Sequence, residues 1–189
     1  MRIAVLGWGS LLWNPLQLEI EGSFTPNGPN LPIEFSRISK NGRLTLVIDE
    51  SHGQMCGTSF ALSNFVILDD ARANLLDREG MDHINGIGFV DLERDVASER
   101  AIERHPTAVQ IIREWAAEHG FGAVIWTALA PNFRDTQPSE FSVEAAMGYL
   151  KALESEKLML AQEYIRKAPE AIKTPLRDAF MHWSEQTTQ

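Results

Sequence analysis

The sequence is poor in cysteine and has no apolar run long enough to cross a bilayer. One of its 189 residues, Cys56, is a cysteine, so an internal disulfide is excluded. Residues 1–6 pass directly into a strand-like segment, so we expect no secretion signal. A membrane span takes about 20 apolar residues, and no segment approaches that length. These features predict a protein of the reducing cytoplasm without a transmembrane helix.

Positive charge is also scarce. The chain has 17 lysines and arginines against 26 aspartates and glutamates, which gives a formal net charge of -9. A surface of this charge repels polyanions unless a basic patch overrides it. The basic residues are scattered singly along the chain, so we expect no nucleic acid and no membrane surface as partner. A small molecule is favoured, and the sequence does not specify an oligomeric state.

Length and composition indicate one core, because 189 residues with 44% hydrophobic side chains match the size of a single domain. We therefore predict one domain over residues 1–189. Strands are expected at residues 2–6, 33–38, 43–48, 54–62, 84–92 and 121–129. Asn41-Gly42 predicts a hairpin turn between the second and third of them. Residues 14–32 contain several prolines and glycines, which predicts a long irregular surface segment.

Helices are expected mainly in the second half. One helix interrupts the strands, beginning between Ser63 and Asp69 and ending at Gly80, a residue suited to the position after a helix. A second begins with Thr107 as its cap, and residues 142–189 form a helical tail. Strands first and helices last are typical of an α+β protein. We predict a small mixed β-barrel or strongly curved sheet flanked by helices.

The first predicted strand is followed by the sequence Gly-Trp-Gly-Ser, which begins at Gly7. A strand followed by Gly-x-Gly opens the dinucleotide-binding fingerprint, but Leu12 stands where the third glycine belongs. Asn14-Pro15 also interrupts the helix that would hold the phosphates. The serine does not form a nucleophile elbow, which requires glycine two positions before and after it. Trp8 and Leu12 occupy those positions, so neither the dinucleotide-binding fingerprint nor the nucleophile elbow is complete.

A substrate-binding role remains open for Trp8, Gly9, Ser10 and Leu11. Successive backbone N–H groups in such a loop can converge on a carboxylate or a developing oxyanion. The alternative is structural: the glycines shape a turn, while Trp8 and Trp13 pack in the core.

Glu79 is the second candidate. It follows Leu75 by four residues and Leu76 by three, so on a helix it shares a face with buried side chains. Burial and the negative helix end both raise a carboxylate pKa, which suits a group that accepts and returns a proton. The alternative is a surface carboxylate in solvent or paired to Arg78 or Arg72.

Two segments together resemble the gamma-glutamylcyclotransferase superfamily. Residues 9–15 (GSLLWNP) resemble its N-terminal signature, and residues 75–80 (LLDREG) resemble the helix end that carries its acid/base glutamate. With leucine at position 11, the loop resembles that of the cation-transport-regulator-like branch of the superfamily. Trp8 stands where the family commonly has tyrosine, and Trp126 is a candidate for its downstream aromatic residue. These motifs cover about a dozen residues.

The resemblance implies a small β-barrel with flanking helices and an enzyme that cyclises a gamma-glutamyl amine or peptide to 5-oxoproline, releasing the free amine. It implies Glu79 as the catalytic acid/base and Trp8, Gly9, Ser10 and Leu11 as substrate-binding residues. The reaction needs no cofactor. The five histidines show no ligand spacing with one another or with the cysteine, so no metal site is predicted.

Two other functions stay open at this point. The first is a non-catalytic module that binds a carboxylated metabolite in the loop and contacts a partner through its helical tail. The departure at Trp8 and the tail, which matches no motif, motivate it. A nicotinamide or flavin enzyme is the third alternative.

Overall fold

A computed structural model describes residues 1–186 and contains seven strands and seven α-helices over that range. The strands are β1 (Ile3–Gly7), β2 (Ile20–Ile38), β3 (Leu44–Ile48), β4 (Gln54–Ser63), β5 (Ile87–Asp91), β6 (Val96–Ala97) and β7 (Ala123–Thr127). The helices are α1 (Leu68–Glu79), α2 (Glu99–Arg104), α3 (Pro106–Glu118), α4 (Phe133–Thr136), α5 (Val143–Ala152), α6 (Ser155–Lys167) and α7 (Pro175–Gln186). A short 3-10 turn, Ile84–Gly86, precedes β5.

The strands form one mixed sheet in the order β3-β2-β4-β1-β7-β5-β6. β1 pairs parallel with β7 and antiparallel with β4, and β5 pairs antiparallel with β6 and β7. The α+β class is therefore confirmed. Closing a barrel requires the first and last strands to pair, but β3 and β6 stand at opposite ends of the described sheet. Of the two predicted forms, the barrel is wrong, because the sheet is not closed, and the strongly curved sheet stays a prediction.

The irregular segment predicted over residues 14–32 is also wrong, because most of it belongs to β2 despite Pro26, Pro29 and Pro32. β3 pairs with β2 only from Ile33 onward. Over its first half β2 therefore has its sheet neighbour, β4, on one side. A proline there can face the open side without losing a ladder hydrogen bond. The prolines of this segment therefore indicate a part of the strand that has a neighbouring strand on one side.

The expectations based on local turn chemistry are confirmed. α1 ends at Glu79, and Gly80 adopts the left-handed conformation with φ 59°. Gly42 has φ 80°, and its N–H donates to the Ser39 carbonyl at 2.9 Å in the hairpin turn between β2 and β3. Both positions favour glycine because a side chain is strained at such φ values.

The start of the second predicted helix differs. His105 precedes α3 and Pro106 is its first residue, so Thr107 lies inside the helix rather than capping it. Proline suits this position because its missing N–H would have no partner in the first turn. The sequence predicts no helix before it, but α2 forms there, with the Ser98 hydroxyl accepting from the Ala101 N–H at 3.1 Å.

The chain forms two compact units. The first consists of Met1–Leu31 and Gly57–Leu129, and the second of Pro32–Cys56 with the described part of the tail from Ala130. The tail is helical as predicted over its described part, while residues 187–189 lie outside the described residues. The single domain over residues 1–189 stays a prediction. Both predicted site segments lie in the first unit.

No helix within residues 1–186 combines the length and apolar character needed to cross a membrane. The single cysteine, Cys56, is buried. The cytoplasmic location inferred from it stays a prediction.

Glu34 is a buried carboxylate in the core of the second unit, with 1% of its surface exposed. Its Oε1 accepts from the Phe35 N–H at 2.7 Å, and its Oε2 accepts from the Leu176 N–H at 3.5 Å. Burial raises the pKa of Glu34, and the nearby Asp49 adds to the rise, while hydrogen bonds from Thr174, Phe35 and Leu176 oppose it. This carboxylate joins β2 to the first turn of α7.

We expect Glu34→Gln to change how stability depends on pH. Because the folded-state pKa of Glu34 is raised, the folded protein holds a proton that the unfolded chain has released. The wild-type unfolding free energy should therefore fall as pH rises from the ordinary glutamate range through the raised pKa. Urea unfolding at several pH values should show a shallower decline for Glu34→Gln. Glu144→Gln, at an exposed position of α5, serves as control, and parallel curves for wild type and Glu34→Gln would contradict the expectation.

Candidate active site

Glu79 is held at the last turn of α1. The N–H groups of Gly80 and Met81 donate to the carbonyls of Asp77 and Leu76 and close the helix. The side chain of Glu79 is 19% exposed, and burial raises its pKa, while the positive charge of Arg78 and its hydrogen bond oppose the rise. The predicted direction of the pKa is confirmed.

α1 lies against the main hydrophobic cluster of the first unit. Its members are Ile3, Val5, Leu11, Leu18, Leu68, Ala71, Leu75, Ile87, Ala123 and Ile125. Leu75 is completely buried in this cluster, and Leu76 packs against it. The apolar face of α1 is thus buried, and the spacing of Glu79 from these leucines explains why its carboxylate is mostly shielded from water.

Arg78 connects the glutamate to the loop. Its Nη1 donates to Glu79 Oε1 at 2.6 Å. Its Nη2 donates to the Asn14 carbonyl at 2.6 Å and to Ser10 Oγ at 3.3 Å. Glu79 and Ser10, two of the predicted site residues, are therefore both hydrogen-bonded to one guanidinium group, through its two terminal nitrogens.

The loop is folded by two turns. The Leu12 N–H donates to the Gly9 carbonyl at 3.0 Å, and the Asn14 N–H donates to the Ser10 carbonyl at 2.9 Å. The N–H groups of Gly9, Ser10 and Leu11 donate to no acceptor among residues 1–186. These three N–H groups are therefore unpaired within the described residues, although Gly9 and Leu11 are buried and Ser10 is partly exposed.

Trp8 and Leu11 are both buried residues, each 5% exposed. Leu11 is a member of the cluster beneath α1, so only its backbone can contact a polar substrate group. Gly7 is closely packed, since a Cβ there would lie 2.7 Å from Leu12 Cδ1. The structural alternative therefore accounts for Gly7 and for these two side chains. Substrate binding by Trp8, Gly9, Ser10 and Leu11 stays a prediction.

Sequence reasoning missed the part of Arg78 and the Asn14 carbonyl. The sequence suggests Arg78 only as the partner of a surface-exposed Glu79, whereas its side chain is buried, with 6% of it exposed. Its spacing of three residues from Leu75 placed it on the buried face of α1 and could have indicated this. Arg72, the other partner left open for Glu79, instead bonds Asp69 at 3.2 Å. No local signal pointed to Asn14.

Trp126 lies away from α1. It is completely buried on β7, opposite Gly88 of β5. Its neighbour Ile125 belongs to the cluster beneath α1. Successive residues of a strand point to opposite faces, so the Trp126 ring lies on the other face of the sheet. This placement does not favour Trp126 as the aromatic residue of the site.

Within residues 1–186, no three histidine, cysteine, aspartate or glutamate side chains come together as metal ligands would. The chemistry available at the site is that of one carboxylate, one guanidinium, one hydroxyl and a set of backbone N–H groups. Comparison with known proteins finds no protein-family model, no curated protein and no solved structure that matches this chain.

Proposed function

We propose that this protein is a gamma-glutamylcyclotransferase-like enzyme, which cyclises a gamma-glutamyl amine or peptide to 5-oxoproline and releases the free amine. One observation carries the proposal: a shielded carboxylate with a raised pKa is joined through Arg78 to a loop with free backbone N–H groups. The two segments that resemble the superfamily, residues 9–15 and 75–80, supply these groups.

The reaction needs few groups. The α-amine of the substrate attacks its own γ-carbonyl carbon, a C–N bond forms within a five-membered ring, and the original amide C–N bond breaks. Holding the substrate folded supplies much of the rate through proximity. Glu79 takes the proton from the attacking amine and returns it to the leaving nitrogen. The N–H groups of Gly9, Ser10 and Leu11 stabilise the oxyanion of the tetrahedral intermediate.

The protonation of Glu79 fits both steps. A carboxylate with its ordinary pKa is a weak base at neutral pH, and burial raises the pKa of Glu79 and strengthens it as a base. The opposing charge of Arg78 keeps the ionised form accessible. The same residue can therefore act as base and then as acid.

The test is product formation across a substrate panel. The protein is incubated with gamma-glutamyl dipeptides, glutathione and gamma-glutamyl amines, and 5-oxoproline is measured by mass spectrometry. We expect multiple turnovers with at least one class, and turnover slower by about 100-fold or more with the Glu79→Gln variant. Asp77→Asn, at an exposed position of the same helix turn, should retain activity. Absence of product from every substrate would contradict the proposal.

A second function is favoured by the burial of the Trp8 ring and the close pairing of Glu79 with Arg78. In that case the loop binds a carboxylated metabolite without turnover, and the helical tail contacts a partner. Calorimetric binding of gamma-glutamyl compounds without product would support it. More than one product molecule per protein would exclude it.

A further inference from the structure

We propose that Arg78 is a positioning residue, whose guanidinium holds the Glu79 carboxylate and the loop of residues 9–14 in one fixed arrangement. This inference rests on the proposed function, because it gives Arg78 a part in the same reaction. The effects of Arg78 on the Glu79 carboxylate and on the loop can be measured without any substrate.

The contacts of Arg78 tie together two segments distant in the chain. Glu79 is its immediate neighbour, whereas Ser10 and Asn14 lie 68 and 64 residues away. The three acceptors are a carboxylate, a hydroxyl and a backbone carbonyl. A planar guanidinium can bond all three at once because its N–H groups point in fixed, different directions.

Burial makes this arrangement stiff. The Arg78 side chain is 6% exposed, and its Nε lies buried without a hydrogen-bond partner in the described part of the chain. Breaking the contact between Arg78 and Glu79 would leave a buried guanidinium charge uncompensated, which is costly away from water. Exposed ion pairs, by contrast, break and re-form at little cost. The carboxylate and the loop are therefore coupled.

The charge of Arg78 acts on Glu79 as well. Among residues 1–186, Arg78 is the charged group that lowers the pKa of Glu79 against the effect of burial. The ionisable neighbours along the chain, Asp77, Asp82 and His83, are exposed. Removing the guanidinium should leave burial unopposed and favour the neutral carboxyl group. Position and protonation of the acid/base thus depend on the same side chain.

Two variants separate these effects. Arg78→Met keeps an unbranched side chain but removes charge and donors, whereas Arg78→Lys keeps the charge and loses the planar set of donors. Arg72→Met is the matched control, because Arg72 lies on the same helix but bonds Asp69 and covers the Phe89 ring. Glu79 is followed by NMR titration of its labelled carboxyl carbon, assigned by its absence in Glu79→Gln. The loop is followed by hydrogen exchange of the Leu12 and Asn14 N–H groups, which are hydrogen-bonded within it.

We expect the pKa of Glu79 to rise by about one pH unit or more in Arg78→Met and to stay near wild type in Arg78→Lys. Loop exchange should accelerate about tenfold or more in both variants, because neither can bridge the three acceptors. Arg72→Met should alter neither quantity. If Arg78→Met fails to fold, the rate of hydrogen exchange in the loop of Arg78→Lys tests the positioning role by itself. Unchanged exchange in Arg78→Lys, or an unchanged Glu79 pKa in a folded Arg78→Met, would overturn the positioning role.

Activity provides a separate readout. With an active substrate, kcat should fall about 10- to 100-fold in Arg78→Met with a smaller change in KM, and the acid limb of its pH profile should move to higher pH. A shifted Glu79 pKa in a protein without any cyclising activity would overturn the proposed function and leave the arrangement intact. Full activity with an unmoved pH profile in Arg78→Met would overturn the inference and leave the function standing.

Discussion

Glu79→Gln should lower kcat for 5-oxoproline formation by about 100-fold or more, while the affinity for a non-cleavable gamma-glutamyl analogue changes little. Positioned acid/base groups typically contribute about 100- to 10,000-fold. Glutamine preserves the length of the side chain, and its oxygen can still accept from Arg78 Nη1, so the loop contacts should persist. What it loses is the ability to take up a proton.

The experiment compares steady-state turnover and calorimetric affinity in wild type and variant. Asp77→Asn, an equivalent change at an exposed carboxylate of α1, controls for neutralising an acid near the site. Turnover near the wild-type value in Glu79→Gln would remove Glu79 from the mechanism. Loss of affinity together with turnover would instead assign Glu79 to substrate binding.

Gly53→Ala should lower the unfolding free energy by about 3 kcal/mol, the upper part of the range for overpacking. A Cβ at this position would lie 2.4 Å from the Asp49 carbonyl oxygen, 2.6 Å from the Pro32 carbonyl carbon and 2.8 Å from the Ile33 nitrogen. All three are backbone atoms, so no side-chain rotation relieves the contact. The methyl group has to displace β2 or the turn between β3 and β4.

Gly148→Ala is the matched control, because the same atom added in α5 meets nothing within 4 Å. Alanine is preferred over glycine inside a helix, so this variant should gain about 0.5 to 1 kcal/mol. Urea unfolding of both variants gives the comparison. Equal stability of Gly53→Ala and wild type would contradict the packing described for the turn.

The sequence predictions are more accurate for features that depend on neighbouring residues than for features that depend on segments far apart in the chain. The end of α1 at Gly80 and the turn at Gly42 depend on the backbone conformation of single residues, and both are confirmed. The course of residues 14–32 depends on which strands lie beside them. Their prolines predict irregular structure, yet the pairing with β4 makes them part of β2.

At the candidate site, too, the features set by neighbouring residues could be predicted and those set by distant residues could not. The shielding of Glu79 follows from its spacing to Leu75 along one helix, and the pKa direction could be predicted from that alone. The role of Arg78 could not, because a helix position does not say which distant carbonyl a guanidinium will reach. Asn14 lies 64 residues away along the chain.

By itself, the sequence determined the α+β class, the end of α1 at Gly80 and the hairpin turn, and it favoured a shielded position for Glu79. Each of these follows from hydrophobic spacing or from backbone preferences within a few residues. Only the tertiary structure decided that the sheet stays open, that Leu11 packs into the core and that Arg78 joins Glu79 to the loop. These features depend on pairings between segments far apart in the chain, and no local preference specifies such pairings.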